Sequence, residues 1–266
     1  MNIIKRESLH EKYLIYSSKI YLFFIFLLFT SYSYSQESLN LEHGTAAFII
    51  RTPKQIVVAV DSRAVDANYN ITSDSVCKIG KFGTMYYVVN GLSSQSNVFN
   101  VFHLLQKAQE CKGSVYDKIN SFEQLVKAPL VKALTNLKND TATFNEVTKS
   151  RSQLGVNFFG IRNDTLVLIN RGFKMIDDKD SIDLDIERNE CPGNCDSIAY
   201  ILVGSNEFNN RFSLRYPRFW ERNLVEMAKT YVQMQIDEKV PAVGGEIQTI
   251  QITLNSTNWS AKNNCK

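Results

Sequence analysis

Residues Ile56–Val60 read "IVVAV", a run with no polar side chain on either face of a strand. Successive side chains of a strand point to opposite faces, so a run of this kind is a buried strand that needs cover on both sides. Charge then begins abruptly, at Asp61 and Arg63. A second strand signal, Ala46 to Arg51, precedes it and starts right after Gly44-Thr45. Between the two arms stand Pro53 and Lys54, a turn signal, since Pro is favoured at the second position of a type I turn. If the arms pair antiparallel, a turn centred on Pro53 puts Thr45 opposite Asp61, and a centre between Pro53 and Lys54 puts it opposite Ser62. In the first register Thr45 and Asp61 meet at the open end of the hairpin, with Cβ atoms about 4.5–5.5 Å apart.

The rest of the chain supplies the layers. A third strand signal covers Thr84 to Asn90. A helix follows from Ser94 to Cys111, with Val98, Val101, Phe102, Leu105 and Ala108 on one face. A second runs from Tyr116 to Leu137, with Ile119, Phe122, Val126, Leu130, Leu134 and Leu137 on one face and Pro129 expected to kink it. Strand signals return in "QLGVNFFGI", "TLVLINRGF" and "SIAYILVGS". A helix then carries Trp220, Leu224, Met227, Tyr231 and Met234, and "GGEIQTIQITLN" closes as a strand. Strands, a helix pair, strands, a helix and a strand suit an α+β protein with sheets layered against helices, not alternating βαβ units. The chain has 266 residues, 44% hydrophobic, enough for one sizeable core. We read a single domain over residues 45–266.

The N-terminus reads as an export signal. Lys5, Arg6, Lys12 and Lys19 precede the apolar run Ile20 to Phe29, and Ser33 and Ser35 sit at small-residue positions. Residues 1–35 are expected to be removed, leaving 36–44 as a short leader; the alternative is an uncleaved anchor. No other segment is apolar enough to span a bilayer, so no membrane contact is expected after cleavage. The net charge of +3 is spread without a basic block, and no nucleic-acid partner is expected. In an oxidising compartment, Cys191 and Cys195 in "ECPGNCD" suit a local disulfide. No second Cys pair or His pair accompanies them, so no metal is expected. Cys77, Cys111 and Cys265 read as a buried thiol, a helix-end residue and a tail residue.

The candidate chemistry follows from elimination. Of three histidines, only His103 lies inside the domain, and it sits off the apolar face of its helix as a surface residue. There is no GxSxG, HExxH, Walker loop or GxGxxG. A hydroxyl can be activated without histidine when a threonine stands at a free N-terminus and its own α-amine acts as base. That amine has an ordinary pKa of about 7.7–8.0, and a neighbouring ammonium lowers it by like-charge repulsion. The lysine in turn needs a carboxylate to hold it.

The chain resembles a family that has this arrangement. "HGTAAFIIRTPKQIVVAVDSRA" is similar to the start of proteasome β-type subunits, members of the N-terminal-nucleophile hydrolases. The resemblance implies a four-layer αββα sandwich. It matches Gly44 to the residue before the cut, Thr45 to the nucleophile, Asp61 to the family aspartate and Arg63 to the arginine after it. "ITSDSVCKI" resembles the segment with the catalytic lysine, which makes it Lys78, one residue further from Asp61 than usual. "YYVVNGLSS" resembles the segment that offers a backbone N–H to the oxyanion, at Asn90-Gly91. "ILVGSNEF" matches Ser205 to a supporting serine, although the same serine suits a helix N-cap. The chain departs from the pattern before its closing "GG". Val240 and Val243 stand where catalytic members have an Asp and a Ser, while Asp237 and Glu238 are near in sequence but out of position. Ala46 and Ala47 replace two further threonines.

The function so implied is an exported threonine peptidase or amidohydrolase, self-processed at Gly44-Thr45, which cuts peptide or other amide substrates without a cofactor. The alternative is an inactive binding or structural module of the same fold. Family members form stacked rings. An exported chain has no evident ATP-driven unfoldase to feed a chamber, so only a homo-oligomer is carried over as an expectation.

Overall fold

Pro53 and Lys54 occupy the middle of a turn in which Thr52 N donates to Gln55 O at 2.8 Å. The Thr52 hydroxyl accepts from Lys54 N at 3.2 Å and from Gln55 N at 3.1 Å, so the turn is tied by its own first side chain. The computed structural model describes residues 41–42, 45–66, 69–148, 152–178, 181–195 and 197–260. In it the two arms form strands β2 (Ala47–Arg51) and β3 (Ile56–Val60), every residue of both buried. Their register runs from Arg51 opposite Ile56 to Ala47 opposite Val60. The turn is therefore centred between Pro53 and Lys54. Asp61 N donates to Ala46 O at 3.2 Å, so Ala46 faces Asp61 and Thr45 stands one step further out, level with Ser62. The direct Thr45–Asp61 pairing of the first register does not form.

The fold is mixed α+β, with several antiparallel sheets and helices. β2 and β3 lie inside a five-stranded sheet of order β13-β2-β3-β14-β15, completed by β13 (Ala199–Val203), β14 (Gln248–Ile252) and β15 (Thr257–Ser260). A second five-stranded sheet has the order β12-β11-β10-β7-β6. Its strands are β6 (Ile79–Phe82), β7 (Met85–Gly91), β10 (Leu154–Arg162), β11 (Thr165–Asp178) and β12 (Ser181–Cys191). Smaller ladders join β1 (Leu41–Glu42), β8 (Ser94–Gln95) and β9 (Phe99–Asn100), and β4 (Ala64–Val65) with β5 (Ile71–Ser73). The helices are α1 (Val101–Glu110), α2 (Val115–Leu137), α3 (Thr141–Thr148), α4 (Asn206–Arg215) and α5 (Leu224–Asp237).

Three apolar clusters hold these elements. One packs α1 and α2, through Leu105, Ile119, Phe122 and Leu130, onto Val156, Phe158 and Ile169 of the second sheet. Another joins the opposite face of that sheet (Val88, Phe159, Leu168) to Ile49, Val58 and Ile250 of the first. The third packs Phe212 of α4 and Met227, Tyr231 and Val232 of α5 onto Phe48, Ile50 and Val57. The two-sided burial of β2 and β3 follows from the last two clusters. Among the described residues, no helix is long and apolar enough to cross a membrane.

Several boundaries differ from expectation. The helix expected from Ser94 begins only at Val101, because Asn100 caps it by accepting from His103 N at 3.0 Å. The residues before it are spent on β8 and β9. α2 continues through Pro129 as one element, and its stripe includes a buried charge, Glu123, which Arg171 and Arg188 satisfy. Trp220 falls in a 3-10 turn, Phe219–Glu221, ahead of α5. Strand β12 was not anticipated, although Ile182, Leu184 and Ile186 alternate with Asp183, Asp185 and Glu187.

The Phe48 ring, fully buried, meets Phe212, Phe219 and Tyr231 at centroid distances of 6.2, 5.5 and 5.7 Å. Replacing it by Ala is expected to cost about 3–5 kcal/mol. Urea unfolding of the two proteins should show this as a lowered midpoint at unchanged slope.

Candidate active site

The site is organised around a carboxylate with no solvent exposure, Asp61, at the end of β3. Four donors converge on it. Ala46 N (2.9 Å) and Lys78 Nζ (2.8 Å) donate to Oδ1, and Gly244 N (3.1 Å) and Arg63 N (3.3 Å) donate to Oδ2. A buried carboxylate survives only when its lone pairs are used in this way. The same four bonds gather distant parts of the chain: the residue after Thr45, the strand end, the lysine segment and the Gly244 loop.

Lys78 reaches Asp61 from the start of β6, with a side chain only 10% exposed. Burial pushes its ammonium pKa below the ordinary value. The charge of Asp61 and the hydrogen bond to it pull the other way, and the Arg63 charge adds to the lowering. Its backbone is fixed as well. Gln248 of β14 accepts from Lys78 N at 3.0 Å and donates to Val76 O at 2.7 Å. Ser62 accepts from Glu246 N at 2.7 Å through its hydroxyl, which itself donates to Asp74 O at 2.5 Å. Arg63 Nε donates to Asp74 Oδ1 at 2.6 Å. Arg63 thus ties down the segment that leads to Lys78 through Asp74.

A small cavity of about 70 Å³ opens beside this cluster. Thr45, Lys78, Arg63 and Gly91 share its wall with the apolar side chains of Val76, Val89 and Phe102. Phe102, expected in the core stripe of α1, is 42% exposed at this rim. Gly91 ends β7 with φ at +87°, where a side chain would be strained and would run into the Gln153 carbonyl. Asn90 turns its side chain away from the cavity and accepts from Asn157 Nδ2 at 3.1 Å.

Other expected residues fall elsewhere. Ser205 is exposed and caps α4 by accepting from Phe208 N at 3.1 Å; it is not part of the cavity wall. His103 is exposed on α1. Asp237 accepts from Gln233 Nε2 at 2.8 Å and Glu238 pairs with Arg211 at 2.5 Å, both exposed. Val243 is buried and Val240 packs against the same apolar cluster, which also holds Ala46. Cys191 and Cys195 are joined in a disulfide, with Cα atoms 5.2 Å apart. Cys77, expected as a buried thiol, is instead half-buried and disulfide-bonded. Cys111 is free. Gly44 and the segment 1–40 lie outside the described residues. Among the described residues, no group of three or more His, Cys, Asp or Glu side chains could hold a metal ion.

Ser62, Gly244 and Gln248 were missed in the sequence. Ser62 was visible inside "DSRA" and Gly244 inside "GGE", but nothing local says that both belong to the Asp61 shell. The chain matches no family model and no curated protein.

Removing the Asp61 carboxylate leaves the Lys78 ammonium buried without its partner. Asp61→Ala should therefore lose about 3–5 kcal/mol. Lys78→Met added to it should restore part of that loss. Denaturant unfolding of both variants measures this, and equal stability of single and double variants would contradict the pairing.

Proposed function

We propose that the chain is an exported threonine-type amidohydrolase built like the proteasome β subunits, with Thr45 as nucleophile. The observation that carries this reading is a shared cavity wall: Thr45, Lys78 and Gly91 line one small space while Asp61 holds both Lys78 Nζ and the N–H of Ala46. The three apolar clusters support a four-layer αββα arrangement of helices, two sheets and helices. Three disulfide-bonded cysteines, Cys77, Cys191 and Cys195, support an oxidising compartment and hence removal of residues 1–35 as a signal. Residues 36–44 then form a leader cut at Gly44-Thr45.

In the processed chain the Thr45 Oγ attacks the substrate carbonyl carbon and its proton passes to the Thr45 α-amine. The backbone N–H groups at Asn90-Gly91 receive the negative charge on the carbonyl oxygen. Collapse breaks the C–N bond, the leaving amine takes the proton, and the acyl group stays as an ester on Thr45. Water, deprotonated by the same amine, then attacks the ester carbonyl; the acyl C–Oγ bond breaks, Thr45 Oγ takes the proton back from the amine, and the acid leaves. Lys78 keeps the amine neutral by repelling a second proton. Val76, Val89 and Phe102 favour a small apolar side chain on the acyl residue.

A second reading is favoured by one observation. Val240 and Val243 fill with apolar side chains the positions where the family places an Asp and a Ser. On that reading the chain keeps the outline of the site as a binding module.

Hydrolysis of reporter peptide amides with a small apolar acyl residue separates the two. The hydrolase reading expects turnover that Thr45→Ser retains and Thr45→Ala abolishes, with an acyl adduct on Thr45 in intact-mass spectra. Equal rates in wild type and Thr45→Ala would contradict it. The pH–rate profile follows from the charges. The rate should rise as the amine loses its proton, with a midpoint below the ordinary value of about 7.7. It should fall when Lys78 loses its proton. Because burial lowers that pKa, the alkaline midpoint should lie below 10.5.

A further inference from the structure

Four neighbouring strands of the second sheet each carry an asparagine: Asn90 on β7, Asn157 on β10, Asn170 on β11 and Asn189 on β12. Asn157 stands opposite Asn170, and Asn170 opposite Asn189. Asn90 stands opposite Gly155, two residues from Asn157 on the same face. That face looks toward the other sheet, since Val88, Phe159, Leu168 and Cys191, each two residues from one of these asparagines, belong to the cluster between the sheets. Such a row is unexpected, because asparagine is depleted in strands and an unsatisfied buried amide costs about 1–3 kcal/mol; here Asn157 is buried, Asn90 and Asn170 are half-buried and Asn189 is exposed.

The row is built to be satisfied. Asn157 has no solvent exposure. It accepts from Asn170 Nδ2 at 2.8 Å and donates from Nδ2 to Asn90 Oδ1 at 3.1 Å. Gly155 makes room for the last member: a Cβ there would stand 2.5 Å from Asn90 Oδ1. At its far end Asn189 donates to Glu187 Oε1 at 3.1 Å, beside an open groove of about 470 Å³ that Asn170 and Asn189 line. At its near end the row stops one residue before Gly91, in the wall of the candidate site. The Asn90–Gly91 peptide is held on one side by the ladder to β10, where Gly91 stands opposite Leu154 and Leu92 N donates to Gln153 O at 2.8 Å, and the bond from Asn157 to the Asn90 side chain gives it a second hold.

We propose that Asn157 is a positioning residue for the proposed hydrolysis: by holding the Asn90 side chain, it sets the direction of the backbone N–H at Asn90-Gly91 that faces the reacting carbonyl. Asn170 orients Asn157 for this task. The proposal rests on the hydrolase reading above. A donor serves the oxyanion only when it stands about 2.7–3.1 Å from it, so loosening Asn90 slows the chemical step and leaves substrate binding nearly unchanged.

The test is steady-state hydrolysis of one reporter peptide amide by the full exported chain and its variants Asn157→Leu and Asn170→Ala, with thermal unfolding of each. Asn157→Leu keeps the size and loses both bonds. Its kcat should fall roughly 10-fold or more, as expected for a misplaced catalytic group, with KM within about twofold. Asn170→Ala, at a half-buried position, should show a smaller fall of the same kind; it decides the matter if Asn157→Leu does not fold. A purely structural row would lower the melting midpoint and leave kcat unchanged at temperatures where the variants are folded, and that result overturns the proposal alone. A wild-type chain with no turnover overturns the hydrolase reading and this proposal with it.

Discussion

One buried carboxylate ties the candidate site to the fold. Asp61 sits at the end of a strand covered on both faces, where a charge is costly, and it is tolerated because four N–H donors reach it. Those donors come from the start of β2, the segment after β3, the start of β6 and the loop before β14. Each element is brought to Asp61 by its own packing, and Asp61 in turn fixes where their ends lie. The site is therefore a by-product of closing the first sheet, with Thr45 set at its margin by the bond from Ala46 N.

Around that carboxylate, division of labour replaces redundancy. Asp61 holds Lys78, Ser62 holds the segment from Asp74 to Val76, Arg63 holds Asp74, and Gln248 holds Val76 and Lys78 through their backbones. On the side of Val240 and Val243 the side chains are apolar and pack with Ala46 in one cluster, while the Val243 carbonyl accepts from Arg63 Nη1 at 3.4 Å. On the hydrolase reading, the orientation of the Thr45 amine then falls to Lys78 and to the chain direction fixed at Ala46.

The parts legible in the sequence were those with a strong local cause. The doubly apolar hairpin arms and the helix stripe from Ile119 to Leu137 follow from spacing alone, and the local Cys191–Cys195 pair from spacing together with the expected oxidising compartment. The register of the hairpin was narrowed to two choices, and the Thr52 hydroxyl decided between them by tying the turn around both Pro53 and Lys54. What stayed hidden depends on contacts far apart in the chain. Gln248 meets Lys78 across 170 positions and Gly244 meets Asp61 across 183, so no window of sequence shows either. The Asn90–Asn157–Asn170 row was invisible for the same reason: each residue looks like a weak spot in its own strand, and only the pairing of strands makes them one line. Ser205 suited both a supporting role and a helix N-cap, and its side chain caps α4.

On the hydrolase reading, Thr45, next to Ala46 and beside Lys78 in the cavity wall, becomes a chain terminus. N-terminal sequencing and intact mass of the chain, expressed with its full sequence and purified without added protease, test this. The account predicts a chain that begins at Thr45 in the wild type and a longer chain in Thr45→Ala. A chain beginning near Gln36 in both proteins would contradict it.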